Sequence, residues 1–505
     1  MRPASAYRAL RRVVLALLVY WAPLSRPATA RAQTNDPSAN DLRTEAGLIA
    51  RIGQAIERAK LGPQVGVSVV DARTGRTIVA RNADAPLNPA SNQKLITAAA
   101  VLSELGPEFR MTTGLYGEIQ GDAVVSGLYL KGYGDPALQT PDLIELAAQL
   151  VARGVRQVDE VVVDGTYFDQ QTLPPGFEEQ PEEISAFRAS VAAASVNANA
   201  FILRVSPGPS AGAAAQVWVD AEGHFSLVNE LTTTDSGSPN VVAVQRAKDD
   251  KLLLKLTGHI PLGMAPIAYR RRVESPLHYT GYALVEALRA NRIQVPRRMR
   301  LGATPKGMAL LASHKSPPLS EQLSALGKNS DNFTAEMLTK VLAAERVGVP
   351  GSTEHGGRVV LQALRKLGVP VTGLRFVNGS GLFGANRVSP AQLTALLGAM
   401  YRDPSLRSEY VWQLAIGGVD GTLAERFVQL PAPRVVRAKT GTLADVVALS
   451  GYVLGRTPER VFAFSVLTNG IKGKQAAARA LADEVAADIA WHLWTADKPL
   501  PRPRP

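Results

Sequence analysis

Ser91 and Lys94 stand three residues apart in Pro89-Ala90-Ser91-Asn92-Gln93-Lys94, and S-x-x-K occurs once in the chain. The apolar positions that follow, Leu95, Ile96, Ala99 and Leu102, predict a helix opening at the serine and ending at Gly106-Pro107. On such a helix, positions i and i+3 share a face. A serine hydroxyl is a poor nucleophile until a neighbouring base takes its proton. Lysine serves as that base only when its pKa falls, and a helix N-terminus and a second nearby cation both push it down. Taken alone, the pattern describes a capping serine beside a solvated lysine equally well.

Two further groups supply what acyl transfer needs. Ser330-Asp331-Asn332 precedes a second expected helix through Ala335, Leu338 and Val341. A serine there can relay a proton, and an asparagine can hold an amide through both donor and acceptor. These are also the preferred helix-capping residues, and in isolation capping is the better reading. Lys439-Thr440-Gly441-Thr442 follows an expected strand at Val435–Ala438. A cation and two hydroxyls on a strand edge suit a carboxylate, and glycine lets a substrate approach the backbone. A strand-end turn with a solvated lysine explains the same four residues.

The three groups in this order are the set carried by penicillin-binding proteins and class A β-lactamases. Beyond them, the chain resembles the class C low-molecular-mass penicillin-binding proteins, the D-Ala-D-Ala carboxypeptidase/endopeptidase family. The likeness runs through Gly134-Asp135-Pro136, Asp164 to Phe168, Ser195 to Asn199, Gly379 to Leu382 and Gly418 to Leu423, covering about residues 41 to 495. It implies Ser91, Lys94 and Ser330 as catalytic residues. Asn332, Lys439, Thr440, Gly441 and Thr442 fall on substrate-binding positions. It implies no cofactor and no metal. The expected substrates are peptidoglycan stem peptides and crosslinks, with β-lactam antibiotics as covalent inhibitors. The alternatives are a β-lactamase, or a non-catalytic wall-binding protein that keeps the fold. Two positions depart from the family pattern: Asn378, where relatives often carry Asp, and Phe383, in place of a small polar residue.

To position these groups the chain must build an α+β fold. Val65, Val67 and Val69 alternate as a strand, and Thr77 to Ala80 return as its partner. Three more strands are expected at Val435–Lys439, Val446–Val453 and Val461–Leu467, then a helix from Gln475 to Trp494. Both chain ends thus contribute to one antiparallel sheet flanked by helices. The resemblance adds a helical subdomain and implies the penicillin-recognising, serine transpeptidase/β-lactamase-like arrangement. Asp41 is the expected cap of a helix whose stripe runs Leu48, Ile49, Ile52, Ala55 and Ile56. Short strands dominate 108–275 around one helix near Asp142–Arg153, which reads as a β-rich insertion of one or two small domains. The expected catalytic domain is therefore discontinuous, 33–107 with 276–495, and 496–505 reads as a disordered Pro/Arg tail.

Residues 1–32 read as a cleaved signal peptide: a positive start with Arg2, Arg8, Arg11 and Arg12, an apolar run Val13–Ala22, then Ala30-Arg31-Ala32. The run is short of the roughly 20 residues a stable anchor needs, so a periplasmic or otherwise extracytoplasmic protein without a stable membrane anchor is expected. Losing the six arginines of this segment takes the net charge from +12 to +6, which suits a polyanionic wall or membrane surface but not a nucleic acid, for which no module is present. The absence of cysteine excludes disulfides and thiolate chemistry, and the six histidines lack ligand spacing. Gly379 to Gly384 satisfies G-x-G-x-x-G, but the next helix opens only at Ser389-Pro390, so it reads as a structural loop rather than a dinucleotide site. Glu336, four residues after Asn332, reads as structural.

Overall fold

A computed structural model describes residues 41–179, 183–248 and 251–496. The expected signal peptide and the expected tail from residue 497 lie outside these residues. The chain opens with α1 (Glu45–Ala59), the hairpin β1 (Val65–Asp71) and β2 (Thr77–Arg81), and α2 (Gln93–Leu105). It continues through β3 (Thr112–Gln120), β4 (Ala123–Gly132), α3 (Thr140–Ala152), β5 (Gln157–Val158) and β6 (Val161–Asp164). Six strands follow: β7 (Ala200–Ser206), β8 (Gln216–Val219), β9 (Phe225–Thr234), β10 (Asn240–Lys248), β11 (Lys251–Pro261) and β12 (Ile267–Arg272). Next come α4 (Pro276–Ala290), β13 (Met299–Leu301) and β14 (Leu310–Lys315). The helices α5 (Leu319–Gly327), α6 (Asn332–Arg346), α7 (Thr353–Lys366), α8 (Pro390–Arg402) and α9 (Arg407–Trp412) come after them. The short β15 (Ala415–Ile416), then β16 (Val436–Leu443), β17 (Val446–Leu454), β18 (Val461–Asn469) and α10 (Gln475–Thr495) complete the path.

The two chain ends meet as expected. β1 pairs antiparallel with β18, Val67 opposite Val466, in a six-stranded sheet ordered β15-β16-β17-β18-β1-β2. Both faces of this sheet are covered. In β18, Phe462, Phe464 and Val466 pack with α1 and α10, while Ala463 and Leu467 face the core of α2 and α5 to α8. Strand periodicity of two thus divides one sequence between two cores.

Three expectations need correction. The cap of α1 is Thr44, whose hydroxyl accepts from Gly47 N, not Asp41, which begins a short 3-10 turn. The insertion does not end at 275. Tyr279, Leu284 and Leu288 of α4 pack against Leu143 and Leu146 of α3 and Val161 of β6. β13 and β14 then pair with β6 and β3 in the insertion's own sheet, so its core runs on to Lys315. An amphipathic period reports that a helix has a buried face but not which core receives it. Finally, within 108–275 the sequence pattern predicts strands at Thr113–Ile119, Ala123–Lys131, Glu160–Val163, Ala215–Val219, Val241–Gln245 and Leu252–Leu256 but none at β5, β7, β9 or β12. The middle of β9, SLVNE, is intermediate to exposed, so it offers little of the burial alternation that marks a strand.

Candidate active site

The turn before α2 places Ser91. Ala90 stands at φ 46 and Ser330 at φ 60, both left-handed without being glycine. Such conformations cost energy and cluster where surrounding structure holds a functional site. Residues Ala90–Asn92 form a single 3-10 turn, and α2 continues from Gln93, so the serine and lysine face the same way as their spacing predicts.

Lys94 is 1% exposed. Its Nζ lies 3.1 Å from Ser91 Oγ, 2.7 Å from Asn332 Oδ1 and 2.6 Å from Ser380 O. Burial lowers its pKa to about 7, while the carboxylates of Asp331 and Glu336 oppose the shift. The cause is therefore desolvation rather than the second cation expected from the sequence. A neutral amine here has two N–H groups for Asn332 and Ser380, which leaves its lone pair for the Ser91 hydroxyl. Lys439 is also buried, and its pKa is driven well down, by burial first and by the charge of Lys94 second.

Lys439, Thr440, Gly441 and Thr442 lie inside β16, not beyond its end. Polar residues continue this strand because one side of it borders the site, which removes the apolar alternation that would have revealed it. A Cβ on Gly441 would lie 3.1 Å from Ser91 N and 3.0 Å from Pro89 O, so glycine lets the strand rest against the turn that carries Ser91. Thr440 Oγ1 donates to Thr422 Oγ1 at 2.8 Å, and Lys439 Nζ donates to Thr440 O at 2.8 Å.

A polar file crosses the sheet beneath this strand. Lys439, Ser450, Ser465 and Ser68 stand opposite one another in register. Asn92, fully buried, joins the file with its amide oriented to donate to Lys439 O at 2.7 Å and accept from Ser450 Oγ at 2.7 Å. The residue after Ser91 thus ties the S-x-x-K turn to the strand of the third motif. A buried polar group without such partners would cost several kcal/mol.

α6 carries the second motif. Asp331 caps it, accepting from Thr334 N at 2.6 Å, which is the capping role that this motif also allowed. Asn332 bonds Lys94, and its Nδ2 donates to Phe187 O at 2.9 Å, so a loop of the insertion reaches the site. One turn on, buried Glu336 accepts from Gly379 N at 3.1 Å and Ser380 N at 2.8 Å. Another turn on, Lys340 bonds Asp169 and Gln171 O, both at 2.5 Å. The structure thus joins Ser91, Lys94 and Asn332 directly and sets β16 beside them. Among the described residues no hydrogen bond joins the Ser330 hydroxyl to Ser91 or Lys94.

Sequence reasoning missed the carbonyl of Ser380, Asn92, Thr422 and the backbone of Phe187. Glu336 has the structural role expected of it. For Ser380, Asn92 and Thr422 the only signal was their place in the motif stretches, and Phe187 lies in none of them, because a backbone acceptor leaves no residue-type trace. The family departures also find places. Asn378 is buried, donates to Pro175 O and Leu382 O, and accepts from Gly381 N and Asn386 Nδ2. Phe383 meets Phe177 edge-on at 5.8 Å and lies under the Arg188 guanidinium.

The profile of the D-Ala-D-Ala carboxypeptidase 3 (S13) family matches residues 48–489. The D-alanyl-D-alanine carboxypeptidase of Actinomadura sp. (strain R39) is 37% identical over 451 residues, 85% of this chain and 81% of that one. The D-alanyl-D-alanine carboxypeptidase DacB of Haemophilus influenzae is 26% identical over 414 residues, 81% and 86% of the two chains. The crystal structure of penicillin binding protein 4 (dacB) from Haemophilus influenzae superposes with a TM-score of 0.74 at 24% identity. It covers 87% of this chain and 98% of the other, which shows a shared fold.

Proposed function

The chain belongs to the D-Ala-D-Ala carboxypeptidase 3 (S13) family and is a serine-type peptidase, and from that premise we propose that Ser91 attacks the carbonyl of the penultimate D-Ala of a peptidoglycan stem peptide. Lys94 takes the serine proton. The backbone N–H groups of Ser91 and Thr442 receive the oxyanion, the interaction that usually contributes most to such a step. Ser330 passes a proton to the departing D-Ala, and Asn332 orients the peptide. Lys439, Thr440 and Thr442 hold the terminal carboxylate, with Gly441 giving it room. Water then hydrolyses the Ser91 ester.

The observation that carries this reading is Lys94 Nζ at 3.1 Å from Ser91 Oγ, in surroundings that lower its pKa to about 7. That matches a general base to its task. A crosslink ending in a D-amino-acid carboxylate offers the same geometry, so DD-endopeptidase activity belongs to the proposal. Penicillin, whose carbonyl and carboxylate imitate D-Ala-D-Ala, acylates the same serine. The enzyme acts outside the cytoplasm, where its substrate lies. Among the described residues no helix is long and apolar enough to cross a membrane.

The test is D-Ala release from a D-Ala-D-Ala peptide, with intact-mass and peptide mapping after penicillin treatment. Ser91→Ala should stay folded and lose both reactions. Turnover by that variant at the wild-type rate, or an adduct mapped to another residue, refutes the assignment.

A further inference from the structure

The insertion carries a recess whose lining shares no residue with the three motifs. About 450 Å³ in volume, it is bordered by Trp218 and Asp220 at the end of β8, by Thr140 and Asn197, and by Tyr279 and Glu286 of α4. Trp218 is 50% exposed, an unusual setting for a large aromatic ring, and the Arg204 guanidinium stacks on it at 5.0 Å.

The polar groups around this ring are held in fixed positions. Asp220 accepts from Ile202 N at 2.7 Å and from the Tyr279 hydroxyl at 3.1 Å. Asn197 Nδ2 donates to Thr140 Oγ1 at 2.9 Å and Tyr279 Oη at 3.2 Å. Asn197, Ala198 and Asn199 run at φ 55, 55 and 49, three successive left-handed residues without a glycine. The strain is held by Asn197 N donating to Leu138 O and by Arg270 donating to Asn197 O. This is the Ser195 to Asn199 stretch that the family resemblance singled out and that the catalytic reading leaves without a role.

We propose that this recess binds a sugar of the glycan strand that bears the stem peptides. A pyranose has an apolar C–H face and a rim of hydroxyl and amide groups. Trp218 offers the matching flat apolar surface, and the carboxylates of Asp220 and Glu286 offer hydrogen-bond acceptors around it. The carboxylates of Asp220 and Glu286 are offset by the Arg204 and Arg270 guanidiniums beside Trp218 and Asn197, which leaves no net charge to draw an ionic ligand, so a neutral N-acetylhexosamine unit is the occupant. Naming the glycan as the source rests on the proposed substrate of Ser91. A second hold on the polymer raises the effective concentration of its peptides at the catalytic site without a new contact there.

The test uses the full chain, with an N-acetylglucosamine oligomer as probe in titration calorimetry. The wild-type chain should bind the oligomer saturably. Trp218→Ala should weaken binding by about tenfold or more, the loss of one aromatic stacking surface, while Trp218→Phe keeps most of it. Glu286→Gln should weaken it less. Turnover of a soluble D-Ala-D-Ala peptide and penicillin acylation should stay unchanged in all three variants, which also shows that they fold. Digestion of intact sacculi should slow in Trp218→Ala. Absence of oligomer binding by the wild-type chain, or equal binding by Trp218→Ala, overturns the proposal. Oligomer binding without any acylation at Ser91 would instead sustain the recess and refute the catalytic reading.

Discussion

Lys94 has three oxygens around one nitrogen, and its protonation state decides what it does with them. With a pKa lowered to about 7 by burial, it gains its basic form as pH rises through that value. Acylation by penicillin should therefore accelerate from pH 6 to 8 and level off above. Stopped-flow acylation rates across this range check the sign, and a rate that falls with rising pH excludes Lys94 as base. Lys439 presents the complementary case. Burial holds its pKa well down in the free site, and a bound carboxylate favours its charged form. Lys439→Ala should weaken binding of a peptide with a free terminal carboxylate by about tenfold or more. It should alter reaction with an activated ester lacking that group far less. Equal losses on both substrates would mean that Lys439 does not read the carboxylate.

At the scale of the element, α6 is the organising part. Asn332, Glu336 and Lys340 follow at four-residue intervals, so one helical face bonds in turn Lys94, the 379–380 loop and the insertion. Glu336 is a positioning residue: it fixes the Ser380 carbonyl that Lys94 bonds, and its charge raises the pKa of Lys94. Glu336→Gln puts an N–H₂ where two backbone N–H groups need acceptors, which should cost about 1–3 kcal/mol of stability. Its acylation should slow, and the acidic limb of its pH profile should move below that of the wild type. A thermal melt and the pH profile together test this. Lost stability with an unmoved profile would confine Glu336 to a purely structural role.

At the scale of the whole molecule, the fate of the acyl-enzyme depends on what the surrounding elements bring to the ester. Fast release of an opened β-lactam needs a base that activates water, as a glutamate does in class A β-lactamases. Three glutamates that follow the second motif are engaged elsewhere. Glu336 holds the 379–380 backbone, Glu345 accepts from Tyr167, and the Glu354 side chain is 82% exposed. The penicillin adduct should therefore persist for minutes or longer, measured as the decay of the adduct mass after excess drug is removed. Release within seconds, with steady penicillin turnover, would favour the β-lactamase reading.

The sequence by itself determined the residue types of the site and the two-ended sheet. S-x-x-K on an apolar helix and alternating valines at both ends of the chain are local patterns, and local patterns survive in one dimension. That Ser91, Lys94, Asn332 and the 439–442 group lie together in space was legible for that reason. Tertiary structure alone decided which core α4 joins, since a helix with a buried face can serve either neighbour. It alone brought Ser380 O to Lys94 across 286 positions and the insertion's Phe187 O to Asn332. It also made burial, rather than a second cation, the force that lowers the pKa of Lys94. Backbone carbonyls carry no residue signature, and desolvation belongs to a position in space, so neither can be read before the chain is folded.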